Sequence, residues 1–355
     1  MSLDKLRDKI AHRAKGTHVS ILSQSDIAST KEWIPTPAYD LNRIISGSIR
    51  RGFPNKTLSL LVGPETSGKS SLICLCLADA QRQGYIPVII DTEGAWDGEF
   101  VKRWGLNPDK TIYNYCPFVD DASLILSALV EDDNEDKFAL AIDSIGGFER
   151  LKVMKDAEKG DIKADQGRLQ KDLKQMLKLA LVVCKQKNSI GFAAGHYYGN
   201  PTGYGDAEQI GGGKAAKLLP DIIVSLKKNL IYENPTAKAD ARGKVLGANL
   251  QAITLKNRYY PPFNEAKVEI NYQTGINSYA GLIDLAIESG YVKQGGSWYT
   301  LQNGEKIQGS KNVENILNDD ENLIDFLENW LKTTGYSTIN REVKEAAELV
   351  DSAGG

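Results

Sequence analysis

The chain has 355 residues, 41% hydrophobic and 25% charged, which is enough apolar surface for one large core and at least one smaller unit. Its formal net charge of -3 excludes a protein that holds nucleic acid through bulk charge, so any such contact must come from a local patch. No run of about 18 apolar residues spans a bilayer, no signal-peptide core opens the chain, and Cys74, Cys76, Cys116 and Cys184 form no Cys-x-x-Cys pair or metal-type spacing, which points to a reducing cytoplasm.

Leu3, Leu6, Ile10 and Ala14 fall at helical spacing among charges, predicting an amphipathic N-terminal helix. A linker ends at Trp33-Ile34-Pro35-Thr36-Pro37. Short apolar strands then alternate with helical patterns. The strands are 58–62, 87–91, 138–143, 190–194 and 222–226; the helices follow Gly68 and cover about 121–131 and 165–187. Such alternation predicts an α/β fold: a mostly parallel, twisted sheet with helices on both faces. Two later runs, 250–256 and 266–272, joined through Pro261-Pro262, predict an antiparallel extension of that sheet. From Gly281 the chain mixes a helix near 282–289, a strand at Trp298-Tyr299 and a helix near 322–331, read as a small C-terminal α+β domain. The expected division is residues 1–32, 33–277 and 278–355.

Gly63-Pro64-Glu65-Thr66-Ser67-Gly68-Lys69-Ser70 matches G-x-x-x-x-G-K-[ST], with an apolar strand before it and a helical pattern from Ser71 after it. Such a loop turns its backbone N–H groups toward a phosphate, with Lys69 reaching the β- and γ-phosphates of ATP and Ser70 binding Mg²⁺. Asp143, ending an apolar strand, suits a supporting role at the same Mg²⁺. Glu93, just past another strand end, is either a general base for water or an acid that caps the next helix or faces solvent. Between Arg150 and Lys187 stand eleven Lys or Arg against five Asp or Glu, which reads as a solvated helix face or as a nucleic-acid patch.

The order of these pieces resembles RecA-type recombinases, the phage UvsX-type branch in particular, from about residue 20 to about 310. The most specific stretches are 63–70, Ile-Asp-Thr-Glu-Gly-Ala-Trp-Asp (90–97), Ile-Asp-Ser (142–144), Gly-Gly-Lys-Ala-Ala-Lys (212–217), Lys-Asn-Arg (256–258) and Tyr-Gln-Thr-Gly-Ile-Asn (272–277). The resemblance implies a RecA-like P-loop ATPase core. It implies a DNA-dependent ATPase that forms a head-to-tail filament on single-stranded DNA and exchanges it with homologous double-stranded DNA, working with a single-strand-binding protein and a loader. It makes Glu93 the catalytic glutamate, places Asp97, Phe100 and Tyr272 near the adenine, and makes Lys256 and Arg258 a basic pair acting on a neighbouring subunit's ATP. His196 stands where the family senses the γ-phosphate; UvsX-type proteins carry His there. The resemblance also implies two DNA-binding loops. The first, about 153–165, carries Lys155, Lys159 and Lys163, with Arg168 opening the next helix. The second, about 196–213, carries Tyr197, Tyr198, Gly212 and Gly213, with Lys214 after it. A glycine-rich segment bearing aromatics suits unstacked bases. Lys214 and Arg258 depart from the bacterial pattern, which has Asn and Lys there; Arg258 keeps the charge but changes its geometry. The N-terminal helix resembles the segment that docks on the adjacent subunit.

Other readings of the same residues are a RecA-core helicase or loader in a hexameric ring, a single-strand-coating scaffold without turnover, and a small-molecule kinase. Glu93 argues against the scaffold, and the basic and Tyr/Gly-rich segments argue against the kinase.

Overall fold

The computed structural model describes residues 2–14, 18–29, 32–153, 166–199, 208–234, 243–318 and 320–334. Among the described residues, nine strands form one sheet in the order β13-β12-β11-β10-β3-β7-β6-β4-β5. In chain order the strands are β3 (Leu58–Val62), β4 (Ile86–Asp91), β5 (Ile112–Tyr115), β6 (Phe138–Asp143), β7 (Ile190–Gly195), β10 (Ile222–Tyr232), β11 (Val245–Asn257), β12 (Glu265–Asn271) and β13 (Gly275–Asn277). The stretch from β10 through β5 is parallel, and β11 to β13 extend it antiparallel from β10. The strand pair β1 (Trp33–Ile34) and β2 (Phe53–Pro54) stands apart from this sheet.

Side-chain alternation along these strands builds the two core layers. Leu61, Ile89, Ala139 and Ala141 face one layer, closed by α2 (Tyr39–Ser46), α3 (Lys69–Arg82) and α4 (Gly98–Arg103). Leu60, Val62, Val88, Ile90 and Leu140 face the other, closed by α5 (Val119–Glu131), α6 (Gln166–Gln186) and α7 (Gly213–Leu218). On α6, Leu173, Met176, Leu177, Ala180 and Val183 point inward while Lys171, Lys174 and Lys178 are exposed. This half of the basic stretch is therefore the solvated face of a packing helix. Arg150 pairs with Asp172 of the same helix at 2.7 Å.

A third cluster holds the C-terminal part together. It contains α8 (Leu282–Glu288), the antiparallel strands β14 (Lys293–Gly295), β15 (Trp298–Thr300) and β16 (Lys306–Gln308), then α9 (Ser310–Leu317) and α10 (Glu321–Thr334). Ile49, shortly after α2 in the chain, packs in this cluster. The buried Glu328 carboxylate accepts from Ser48 Oγ at 2.9 Å and Ile49 N–H at 3.0 Å.

Two regions differ from the sequence reading, and a third agrees with it. The sequence reading contains no helix over 39–46; α2 forms there, with Asp40 and Arg43 buried and paired to each other at 2.7 Å. At the described ends of the predicted loop 196–213, β8 (Tyr197–Gly199) pairs antiparallel with β9 (Glu208–Ile210), and Gly212 caps the start of α7. The N-terminal helix α1 (Leu3–Arg13) forms as expected, with Ser2 as its N-cap accepting from Lys5 N–H. None of its residues is buried. No helix of the described residues is long and apolar enough to cross a membrane.

Candidate nucleotide and nucleic-acid site

The carboxyl ends of four adjacent parallel strands, β3, β7, β6 and β4, meet at one edge of the sheet, where open α/β sheets place their ligands. The phosphate loop follows β3, His196 follows β7, Asp143 ends β6, and Glu93 follows β4. Together they line a cleft of about 450 Å³, formed by residues 65–71 with Glu93, Asp143, His196 and Lys228. Gly68 takes φ +87° and turns the loop into α3; a side chain there would be strained in the left-handed region.

Lys69 is buried, and its Nζ donates to the carbonyls of Gly63 (3.1 Å) and Pro64 (2.8 Å). Burial lowers its pKa from the ordinary lysine value, and the carboxylates of Asp143, Glu93 and Glu65 oppose that shift. An ammonium held in a polar cleft by loop carbonyls, beside a glycine-rich turn into a helix, fits a phosphate.

Asp143 is buried as well. Burial raises its pKa, hydrogen bonds from Ser70 and Trp96 lower it, and the charges of Glu93 and Asp91 raise it further. Its Oδ2 accepts from Trp96 Nε1 at 2.8 Å. A buried carboxylate facing the Ser70 hydroxyl is a donor set that suits Mg²⁺, which takes oxygen ligands. The Asp143–Ser144 peptide is cis.

Glu93 is half-exposed; its Oε1 accepts from Ser144 Oγ at 3.1 Å and lies 3.7 Å from His196 Nε2. The other ring nitrogen of His196, Nδ1, lies 3.5 Å from Lys69 Nζ. The His196 carbonyl accepts from Gly211 N–H at 2.8 Å, at the foot of the β8–β9 hairpin.

Sequence reasoning missed two contributors. Asp91 is fully buried and organises the turn carrying Glu93: its Oδ1 accepts from the N–H groups of Glu93 (2.9 Å) and Gly94 (3.0 Å), and its Oδ2 from Trp96 N–H (3.2 Å) and Tyr113 OH (3.1 Å). The signal was present as an acid two residues before Glu93 at a strand end. Asp91→Asn puts an N–H group where an acceptor is needed. It is expected to destabilise the fold by about 1–3 kcal/mol, measured by denaturant titration, and to slow turnover more than it weakens ATP binding. The second contributor, Lys228, lines the cleft, with its Nζ 6.0 Å from the ring centroid of Tyr272. A Lys-Lys pair on a strand carries no such signal.

Other predicted residues lie elsewhere. Asp97 caps α4 by accepting from Phe100 N–H at 2.7 Å. Phe100 is partly buried, packs against the core and stands edge-on to Trp96, with centroids 5.5 Å apart. Neither lines the cleft. Lys256 and Arg258 sit toward the opposite end of β10, where Ile223 pairs with both Lys256 and Leu60. Lys256 Nζ donates to the carbonyls of Leu218 (2.7 Å) and Pro220 (2.6 Å), and Arg258 pairs with Asp221 at 3.1 Å. Burial, and then the charge of Arg258, lower the Lys256 pKa. Tyr197 is half-buried against the second core layer, while Arg168 and Lys214 are exposed. Lys155, Lys159, Lys163 and the Tyr198 side chain lie outside the described residues.

The family model described as the RecA N-terminal domain matches residues 8–277, and that of the RecA C-terminal domain matches residues 280–334. The chain is 28% identical over 308 residues to Protein RecA of Streptomyces venezuelae, covering 85% of this chain and 77% of the relative. It is 29% identical over 307 residues to Protein RecA of Clostridioides difficile, covering 84% and 82%. With Protein RecA of Chlorobaculum parvum the identity is 27% over 288 residues, covering 80% and 78%. A P-loop at the strand ends, a small C-terminal domain and two family matches that together run from residue 8 to 334 lead to one conclusion: the chain belongs to the RecA family of recombinases.

Proposed function

We propose that this chain is a DNA-dependent ATPase that polymerises head to tail on single-stranded DNA in the cytoplasm and exchanges that strand with homologous duplex, as a member of the UvsX-type branch. Its working parts are a polymerisation segment (1–32), an ATPase core (33–277) and a small C-terminal domain (278–355). The observation that carries the reading is the position of His196, which stands between Lys69 and Glu93 and bonds through its carbonyl to the foot of the hairpin. A group touching the phosphate lysine, the base and the DNA segment at once can couple nucleotide state to DNA affinity. Histidine at this position is also what supports the UvsX-type branch.

In this reading the backbone of residues 63–71 and the Lys69 ammonium hold the phosphates of ATP. Ser70 and Asp143 hold Mg²⁺, which when bound neutralises negative charge on the phosphate oxygens. Glu93 takes the proton of the attacking water, its Oε1 steadied by the Ser144 hydroxyl. Tyr272, beside Lys228 of the cleft, takes the base; Asp97 and Phe100, which do not line the cleft of this subunit, are read as base contacts on the resemblance alone. Lys256 and Arg258 reach the nucleotide of the adjacent subunit, as an arginine finger does. Lys155, Lys159, Lys163, Arg168, Tyr197, Tyr198, Gly212, Gly213 and Lys214 meet the DNA. The apolar stripe of α1, with Leu3 63%, Leu6 40% and Ile10 45% exposed, supports docking on a second subunit. Such a heterologous contact yields filaments when it does not close.

The test is ATP hydrolysis with and without single-stranded DNA at low and moderate salt, followed by imaging. Strong stimulation and filaments are expected. DNA affinity should fall with a log–log salt slope of about -0.7 per phosphate contacted. Unstimulated turnover, rings, or an affinity indifferent to salt would overturn the assignment.

A further inference from the structure

We propose that Asn257 is the positioning residue that aims Lys256 and Arg258 across the subunit boundary, and that it does so by fastening their backbone to the C-terminal end of α2. The inference rests on the reading that this pair acts on a neighbouring subunit's nucleotide. Strand β11 carries a bulge just before the pair: Ile223 pairs with Lys256 while Val224 pairs with Thr254, leaving Leu255 as the extra residue. Bulges bend a strand and re-aim the side chains that follow. Beyond the bulge the pairing with β10 lasts only through Lys256 and Asn257, so the chain that leaves the sheet there needs an external anchor to keep a defined direction.

Asn257 supplies that anchor with both ends of its carboxamide. Its Nδ2 donates to the carbonyls of Ile45 (2.8 Å) and Ile44 (3.2 Å), in the last turn of α2, where carbonyls lack partners within the helix. Its Oδ1 accepts from the N–H groups of Tyr259 (2.9 Å) and Tyr260 (3.2 Å). Two donors and two acceptors are all the capacity the group has. Alanine would lose both sets, and aspartate would lose the donors.

The support is itself rigid. Asp40 through Ile45 are buried, Arg43 bonds to Asp40 (2.7 Å) and to the Glu265 carbonyl (2.6 Å), and the Asn42 amide bonds to the Thr36 (2.9 Å) and Ile49 (3.0 Å) carbonyls. Tyr260 lies on Gly47, the C-cap of α2, where an added Cβ would sit 2.5 Å from the ring. The backbone around the pair is thus held while the heads keep exchangeable partners. Arg258 is 59% exposed against Asp221, and Lys256 is on helix-end carbonyls. A fixed stem lowers the ordering cost of reaching a neighbour's phosphate.

The experiment uses full-length chains on single-stranded DNA with ATP turnover as the readout. Asn257→Ala alone is expected to be roughly tenfold or more slower, on the scale of displacing a charge-stabilising group. It is then mixed 1:1 with Glu93→Gln, which keeps an intact Lys256–Arg258 pair. In a head-to-tail filament about a quarter of the interfaces then join a working Glu93 to a working pair, so turnover should return to about a quarter of the parent rate. A merely structural defect within the Asn257→Ala subunit would not be rescued. The double variant Lys256→Ala/Arg258→Ala mixed with Glu93→Gln is the control. Recovery in the control but not with Asn257→Ala overturns the inference and leaves the trans reading standing; recovery in neither overturns both. Full turnover of Asn257→Ala alone also overturns the inference. Should that variant not fold, Asn257→Asp, which keeps the acceptor half, is read by the same mixture.

Discussion

Lys69→Ala is expected to lower ATP turnover by at least roughly 10²–10³-fold, the scale seen when one preorganised charge-stabilising donor is removed. The ammonium is buried in the cleft and bonded to the Gly63 and Pro64 carbonyls, so the loss is double. The charge facing the phosphates disappears, and two loop carbonyls lose the donor that shapes the turn. ATP affinity should therefore fall along with the chemical step, and equilibrium binding of a labelled nucleotide should show it. Lys69→Arg should not rescue, because a planar fork cannot replace a compact ammonium between these carbonyls. The depressed pKa of Lys69 adds a proton signature: an anionic phosphate beside it favours the charged form, so nucleotide binding should not release its proton. Normal turnover in Lys69→Ala would sink the phosphate-loop assignment.

Glu93→Gln should separate binding from chemistry. The amide oxygen can still accept from Ser144 Oγ, so the turn keeps its shape, but the group can no longer take a proton. Turnover is expected to fall by about 10²–10⁴-fold, the usual contribution of a positioned base, while ATP and single-stranded DNA still bind. In the proposed cycle hydrolysis releases the filament, so filaments assembled with this variant and ATP are expected to persist. Single-turnover hydrolysis and filament lifetime measure the two halves. Unchanged turnover would place the base elsewhere, and His196, 3.7 Å away, would be the next group to test.

Parts of this site were legible because their chemistry is local. A strand, a glycine-rich turn and a helix start are neighbours in sequence, so residues 58–82 announce a phosphate loop without any help from the rest of the chain. The strand-end acids Asp143 and Glu93 were legible for the same reason. Helix α2 was not, since Asp40 and Arg43 look solvated until their mutual pairing and burial are known. Phe100 illustrates a different limit: its position in a family motif asks for an aromatic, and only the structure shows the ring packed edge-on to Trp96.

The sequence by itself therefore determined the alternating α/β plan, the phosphate loop, the acids at strand ends and the small C-terminal domain, because periodicity and turn chemistry act over a few residues. Only the tertiary structure decided what meets what. The order β10-β3-β7-β6-β4 brings Lys228, the phosphate loop, His196, Asp143 and Glu93 to one edge, although they are scattered from residue 63 to residue 228. It turned Asp91 from a strand-end acid into the anchor of the Glu93 turn, and carried Lys256 and Arg258 to the far end of the sheet. Strand order is set by how the two core layers pack, a property of the whole chain that no local pattern contains.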